Sequence, residues 1–257
     1  MHPFPTPART SPSRVGDTLR RDAGLALGGA ALLLLTAVAT ATLAADLSAW
    51  FAPKALALFG VAAACVWRGL AAHVPHVRFG TANGITLLRL ALIALLAALL
   101  GEASAPSLAW AALGLATLAA LLDAVDGPIA RRRQQASPFG ARFDMETDAL
   151  LILVLSLLVF ALGQAGAWVL AAGAMRYVFV LAARPWPWLA APLPPSLRRK
   201  TVCVVQIVTL IVCLAPIVPP AWAQWIAGAG LVALVYSFAV DTLWLARCRP
   251  HPVETTP

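Results

Sequence analysis

The chain has 257 residues, 61% of them apolar and only 12% charged, with a mean hydropathy of +0.82. A water-soluble domain of this length has no use for so much apolar surface, so the composition excludes a soluble globular enzyme and points to a bilayer. The formal net charge of +8 fits attraction to anionic headgroups and requires no nucleic-acid partner.

A transmembrane helix needs about 20 mostly apolar residues. Eight stretches qualify in chain order: 23–44, 53–72, 83–101, 106–127, 144–163, 166–184, 201–218 and 222–244. They are long and continuous, without the ten-residue alternation of a membrane barrel, so the expected fold is an all-α integral membrane protein of about eight transmembrane helices. Residues 1–22 form a basic leader rich in Pro and Ser, expected to be flexible and cytoplasmic. The apolar run behind it is too long for a signal core, and Thr42 to Ala45 is a poor cleavage match, so the first span is expected to be retained.

With the N-terminus inside, Arg9, Arg14, Arg20, Arg21, Arg68, Arg78, Arg131, Arg132, Arg133, Arg142, Arg184, Arg198, Arg199, Lys200, Arg247 and Arg249 all fall at the cytoplasmic side, and Lys54 alone falls outside. That bias predicts that both termini are cytoplasmic. Arg89 and Arg176 lie within or at the edges of spans, either as paired structural cations or as substrate contacts. Cys65, Cys203, Cys213 and Cys248 have no metal-binding spacing and read as packing residues. His73 and His76 sit in a short linker with no carboxylate nearby in sequence, so neither reads as a metal ligand.

The acidic residues break the apolar pattern. Of eleven in the chain, five (Asp123, Asp126, Asp144, Glu146 and Asp148) fall within 26 residues. Asp123 and Asp126 are three apart and Asp144 and Asp148 four apart, so each pair shares a helical face, with Glu146 off the face of the second pair. An Arg-rich loop between adjacent helices brings the two pairs together. Converging carboxylates near hydrocarbon repel one another unless cations hold them, and an all-oxygen donor set suits Mg²⁺, Mn²⁺ or Ca²⁺ better than zinc. Gly127, Ala130 and Gly140 strip bulk from the backbone beside the acids, and Arg131 adds a fixed cation suited to a phosphate oxygen. Intramembrane carboxylates alone fit a cation-coupled transporter as readily as an enzyme.

Residues 123–148 read DAVDGPIARRRQQASPFGARFDMETD, placing Asp123, Asp126, Gly127, Ala130, Arg131, Gly140, Asp144 and Asp148 at fixed gaps. This run resembles the full signature of the CDP-alcohol phosphatidyltransferases. Asn83, Thr86 and Arg89 in TANGITLLR are similar to the opening of that family's first core helix. The resemblance divides the chain into the leader 1–22, two additional N-terminal helices over 23–79, a six-helix catalytic core over 80–246 and a cytoplasmic tail over 247–257.

The resemblance implies a homodimer in a bacterial-type inner membrane, with a polar cavity facing the cytosol. Asp123, Asp126, Asp144 and Asp148 would hold two Mg²⁺ or Mn²⁺ ions, and Asp148 would be the general base. Asn83, Gly127, Ala130, Arg131, Ser137 and Gly140 would contact the CDP-alcohol donor, expected to be CDP-diacylglycerol. Arg198, Arg199 and Lys200 are candidate contacts for a phosphorylated acceptor, with membrane anchoring as their other reading. Glycerol 3-phosphate is the first acceptor expected, with inositol phosphate, serine and choline as alternatives. Phosphatidylglycerophosphate synthases commonly carry Pro and Lys where this chain has Met145 and Ala149, a departure that bears on the acceptor.

Overall fold

The computed structural model describes residues 12–73, 78–102, 106–132 and 137–248, with side chains described except at 12–15, 106 and 125–132. The described residues form eight α-helices and no strand. They are α1 (Pro12–Ala44), α2 (Phe51–Gly69), α3 (Thr81–Ala98), α4 (Pro106–Arg132), α5 (Pro138–Ala161), α6 (Leu170–Ala182), α7 (Leu197–Leu214) and α8 (Pro220–Arg247). A 3₁₀ turn, Leu70–His73, extends α2, and another, Ala167–Val169, leads into α6.

Helix α1 starts at Pro12, well before the expected boundary at 23. An apolar window begins only after the last charge, whereas a helix tolerates Arg20, Arg21 and Asp22 at its wet end. Leu19, Ala23, Ala30, Leu34 and Val38 form a buried stripe at helical spacing that carries the helix through this segment. The leader over 12–22 is therefore helical, while residues 1–11 lie outside the described residues.

Among the described residues, five helical segments are long and apolar enough to cross a membrane: Gly16–Ala44, Phe51–His73, Thr81–Ala98, Ser107–Ala124 and Pro220–Arg247. Of the rest, α5 carries four charges towards its head (Arg142, Asp144, Glu146, Asp148), α7 carries three (Arg198, Arg199, Lys200), and α6 has only 13 residues. The chain is thus a multi-pass, all-helical membrane protein. Helix α3 has 72% of its residues buried, against 17–28% in the other four candidate spans, so it is the most enclosed of the five. Leu32, Leu33, Val61, Leu121 and Val232 are among those exposed apolar side chains, as expected where lipid replaces water.

The chain divides into two compact units, Met1–Ala98 with Leu121–Thr147, and Leu99–Ala120 with Asp148–Pro257. In the first, α1 and α2 pack on each other and on α3. The ring of Phe139, at the head of α5, sits edge-on to His73 with centroids 5.3 Å apart and also meets Phe79 and Phe143. Gly69 makes room for it, since a Cβ there would lie 3.0 Å from the Phe139 ring.

In the second unit α7 and α8 form an antiparallel pair. At one end Arg198 donates to Ser237 and Asp241, in the middle Gly230 faces Gln206 and Thr209, and at the other end the Cys213 thiol meets the Ala223 carbonyl at 3.3 Å. Helix α6 approaches α5 so closely that a Cβ on Gly173 would lie 2.4 Å from Ser156 Oγ and 2.7 Å from the Leu153 Cα. Backbone cannot yield as a flexible side chain can, so Gly173→Ala must push the helices apart. Overpacking of this kind costs about 1–3 kcal/mol. We expect Gly173→Ala to unfold several degrees below the unsubstituted protein in detergent, whereas Gly114→Ala, with nothing within 4 Å, should match or exceed it.

Candidate active site

Helix α3 begins after Gly80, whose φ of +86° is a left-handed conformation that glycine adopts without strain. Arg89 follows two turns into α3 and is fully buried. Its Nη1 lies 2.8 Å from Asp123 Oδ1 on α4 and 2.6 Å from Asp144 Oδ1 on α5. One cation therefore ties the two acidic helices to the most buried helix. A bare guanidinium in this setting is prohibitive, and two carboxylates are what make it tolerable. Of the two readings left open by the sequence, the structure supports the paired one.

Asp148 lies one turn beyond Asp144 on α5, so both carboxylates project from one face. Asp123, Asp144 and Asp148 each bring one oxygen within 4.8 Å of the others. Oxygen ligands sit about 2.1–2.6 Å from Mg²⁺ or Ca²⁺, so two ligands on one such ion stand up to about 4–5 Å apart. The three carboxylates fit a hard divalent cation by spacing and by donor chemistry. Arg89 meets Oδ1 of both Asp123 and Asp144, which holds the two side chains in place. Asp126, Gly127, Ala130 and Arg131 continue along α4, but their side chains lie outside the described residues.

Three more of the expected residues meet at the head of α5. Asn83 and Ser137 are buried, and the Gly140 N–H donates to Ser137 Oγ at 3.0 Å. A Cβ on Gly140 would come within 2.9 Å of Asn83 Oδ1 and 3.2 Å of Ser137 Oγ. Glycine is needed here because two side chains press on its Cα, a packing reason for the signature residue. Asn83 is fixed in turn by donating through Nδ2 to the Phe79 carbonyl at 2.6 Å.

The basic cluster of α7 has a different setting. Arg198 donates to Asp241 Oδ1 at 2.5 Å and to the Ser237 carbonyl and hydroxyl at 2.6 Å, and Arg199 reaches the same Asp241 oxygen at 3.2 Å and the Pro194 carbonyl. Cations at a helix N-terminus oppose its dipole, and the nearly buried Asp241 offsets that cost. Lys200 is exposed. Arg198 and Arg199 thus have a structural task, joining α7 to α8, and still leave a local excess of positive charge.

Two features escaped sequence reasoning. Cys203 on α7 places its Sγ 3.9 Å from Asp148 Oδ2, a contact no spacing rule discloses. His73, read as a linker residue, is 2% exposed and hydrogen-bonded through both ring nitrogens. The ring that packs on it, Phe139, was visible in the sequence but distant along it.

If Arg89 is what makes the acidic pair tolerable, its loss must be costly. Breaking a buried ion pair from one side costs roughly 3–5 kcal/mol, and the lower end applies because the Asp144 side chain is 39% exposed. Arg89→Met should lower the unfolding temperature in detergent by many degrees, and adding Asp144→Asn should recover part of that loss. Equal stability of Arg89→Met and the unsubstituted protein would show that the pairing does not hold the helices.

Comparison with known proteins agrees with this geometry. The family model for CDP-alcohol phosphatidyltransferase matches residues 79–237, the stretch that holds Asn83, Arg89, Asp123, Gly140, Asp144 and Asp148. A curated protein of Pseudomonas fluorescens, CDP-diacylglycerol–glycerol-3-phosphate 3-phosphatidyltransferase, is 32% identical over 147 residues, which cover 52% of this chain and 70% of the relative. No solved structure matches. With Asp123 and Asp144 of its signature paired to a buried arginine in an all-helical membrane protein, the chain belongs to the CDP-alcohol phosphatidyltransferase family and is a transferase of phospholipid biosynthesis.

Proposed function

We propose that the enzyme transfers the phosphatidyl group of CDP-diacylglycerol to the hydroxyl of glycerol 3-phosphate, releasing CMP. The observation that carries this reading is the convergence of Asp123, Asp144 and Asp148. The acceptor is supported by the Pseudomonas fluorescens relative, whose name gives glycerol 3-phosphate. It is supported also by the surplus of cations at Arg198, Arg199 and Lys200, suited to a phosphorylated acceptor. Met145 and Ala149, which replace the Pro and Lys common in phosphatidylglycerophosphate synthases, stand against it. Serine, choline or inositol phosphate would be the acceptor if that departure governs specificity.

Each residue has a defined task in this reading. Asp123, Asp126, Asp144 and Asp148 would hold two divalent cations, Mg²⁺ or Mn²⁺, which supply neutralisation of charge on the donor's pyrophosphate. Arg131 would bind a pyrophosphate oxygen, beside the bare backbone of Gly127 and Ala130. Asn83, Ser137 and Gly140 would receive the nucleotide. Asp148 would take the proton of the acceptor hydroxyl, whose oxygen then attacks the lipid-side phosphorus in line as the bond to CMP breaks. Acyl chains stay in lipid throughout, so the chemistry needs only the headgroup to enter the polar site.

The same reading places the catalytic unit as a homodimer in a bacterial inner membrane, with the active site and both termini in the cytoplasm. The positive-inside distribution of sixteen basic residues supports that orientation.

An acceptor screen tests the proposal. Purified enzyme with CDP-diacylglycerol and Mn²⁺ should release CMP fastest with glycerol 3-phosphate, and not at all after chelation by EDTA. At saturating Mn²⁺ and donor, Asp148→Asn should lose roughly 10²-fold or more in turnover. Faster CMP release with serine, choline or inositol phosphate would overturn the acceptor, and near-normal turnover of Asp148→Asn would overturn the base.

A further inference from the structure

Helices α1 and α2 and the 3₁₀ turn after them precede the segment matched by the family, yet they reach into the part of it that contains Asn83, Ser137 and Gly140. Two hydrogen bonds make the connection. Asp22 on α1 accepts the Phe79 N–H at 2.7 Å, satisfying a backbone donor just ahead of α3, where a carboxylate also suits the helix dipole. His73, the last residue of the 3₁₀ turn, meets Ser137 Oγ through Nδ1 at 2.8 Å and the Arg78 carbonyl through Nε2 at 3.0 Å.

The donor and acceptor assignment follows from what each partner can do. A carbonyl only accepts, so Nε2 carries a proton and donates to Arg78. In the neutral ring Nδ1 then accepts, and the Ser137 hydroxyl donates to it. Ser137 Oγ meanwhile accepts the Gly140 N–H. The result is a directed chain from Gly140 through Ser137 and His73 to Arg78, all within one compact unit. Phe139 packs edge-on to the imidazole and shields it, and His73 is 2% exposed, so water does not compete for these bonds. Without His73 the hydroxyl hydrogen of Ser137 has no buried acceptor at Nδ1, and its rotor is free to turn. Because Ser137 also sits against the Gly140 Cα beside Asn83, the position of all three depends on it.

We propose that the two helices preceding the family segment are a positioning element for the donor nucleotide site, acting through His73 on the Ser137 hydroxyl. This inference rests on the reading above that Ser137, Asn83 and Gly140 receive the CDP moiety. His73 touches neither substrate in this account. It fixes a group that does, so its loss weakens capture of the donor more than the chemical step or the acceptor.

The test uses the full-length enzyme and CMP release, with the KM for CDP-diacylglycerol at saturating acceptor, the KM for acceptor at saturating donor, and kcat. His73→Ala should raise the donor KM about tenfold, with kcat and acceptor KM within about twofold. The two amide variants separate positioning from packing. In His73→Asn the amide oxygen stands near Nδ1 and can still accept from Ser137, whereas in His73→Gln the amide stands near Nε2 and can only serve Arg78. Asparagine should therefore restore the donor KM to within about twofold, and glutamine should not.

In the background of Ser137→Ala, removal of His73 should change the donor KM little further. If Ser137→Ala raises the donor KM but His73→Ala does not, the positioning role is wrong while the nucleotide-site reading stands. If Ser137→Ala leaves the donor KM unchanged, the nucleotide-site reading itself fails. Should His73→Ala not yield folded protein, the asparagine and glutamine variants decide, and equal donor KM values in those two would overturn the inference.

Discussion

A guanidinium buried inside a membrane protein must be neutralised, and Arg89 is met by the carboxylates of Asp123 and Asp144. The rest of the site follows from that constraint. Arg89 is anchored on α3, the most enclosed helix, and it draws Asp123 of α4 and Asp144 of α5 to one point. Helical periodicity then delivers Asp148 to the same face without further instruction. Three carboxylates held this close would repel, and the arginine answers only part of their charge. Their spacing and oxygen donors fit a divalent cation, the kind of group a phosphoryl-transfer site employs.

The small residues of the signature have packing causes as well as chemical ones. Gly140 is bare because Asn83 and Ser137 lie against its Cα. Gly173 and Gly230 play the same part between α6 and α5 and between α8 and α7, outside the signature. Close helix approach through small residues is the usual route to tight packing in lipid, where apolar side chains gain nothing by leaving the acyl phase.

Much of this was legible in the sequence. About eight transmembrane helices were expected; eight α-helices are found among the described residues, and five helical segments there are long and apolar enough to cross a membrane. The acidic clustering followed from intervals of three and four residues. Hydropathy misplaced the start of α1, since it registers charge at a helix end as a break whereas the backbone does not. It was blind to His73 and to the Cys203–Asp148 approach, which arise from pairs 64 and 55 residues apart. Arg89 could be recognised as costly in the membrane, but its partners on α4 and α5 became identifiable only in three dimensions. Arg198 and Arg199 show the converse: a cluster that reads as a ligand site from sequence is also the clasp that holds α7 to α8 through Asp241.

Asp123, Asp144 and Asp148 converge as a candidate site for a hard cation. Its most direct test is Mn²⁺ binding to the purified protein, followed by electron paramagnetic resonance, which needs neither donor nor acceptor. Mn²⁺ should bind with oxygen ligation and be competed off by Mg²⁺, with a large loss of affinity in Asp144→Asn and Asp123→Asn while Asp241→Asn retains it. Binding that is unchanged in Asp144→Asn and Asp123→Asn would contradict the site.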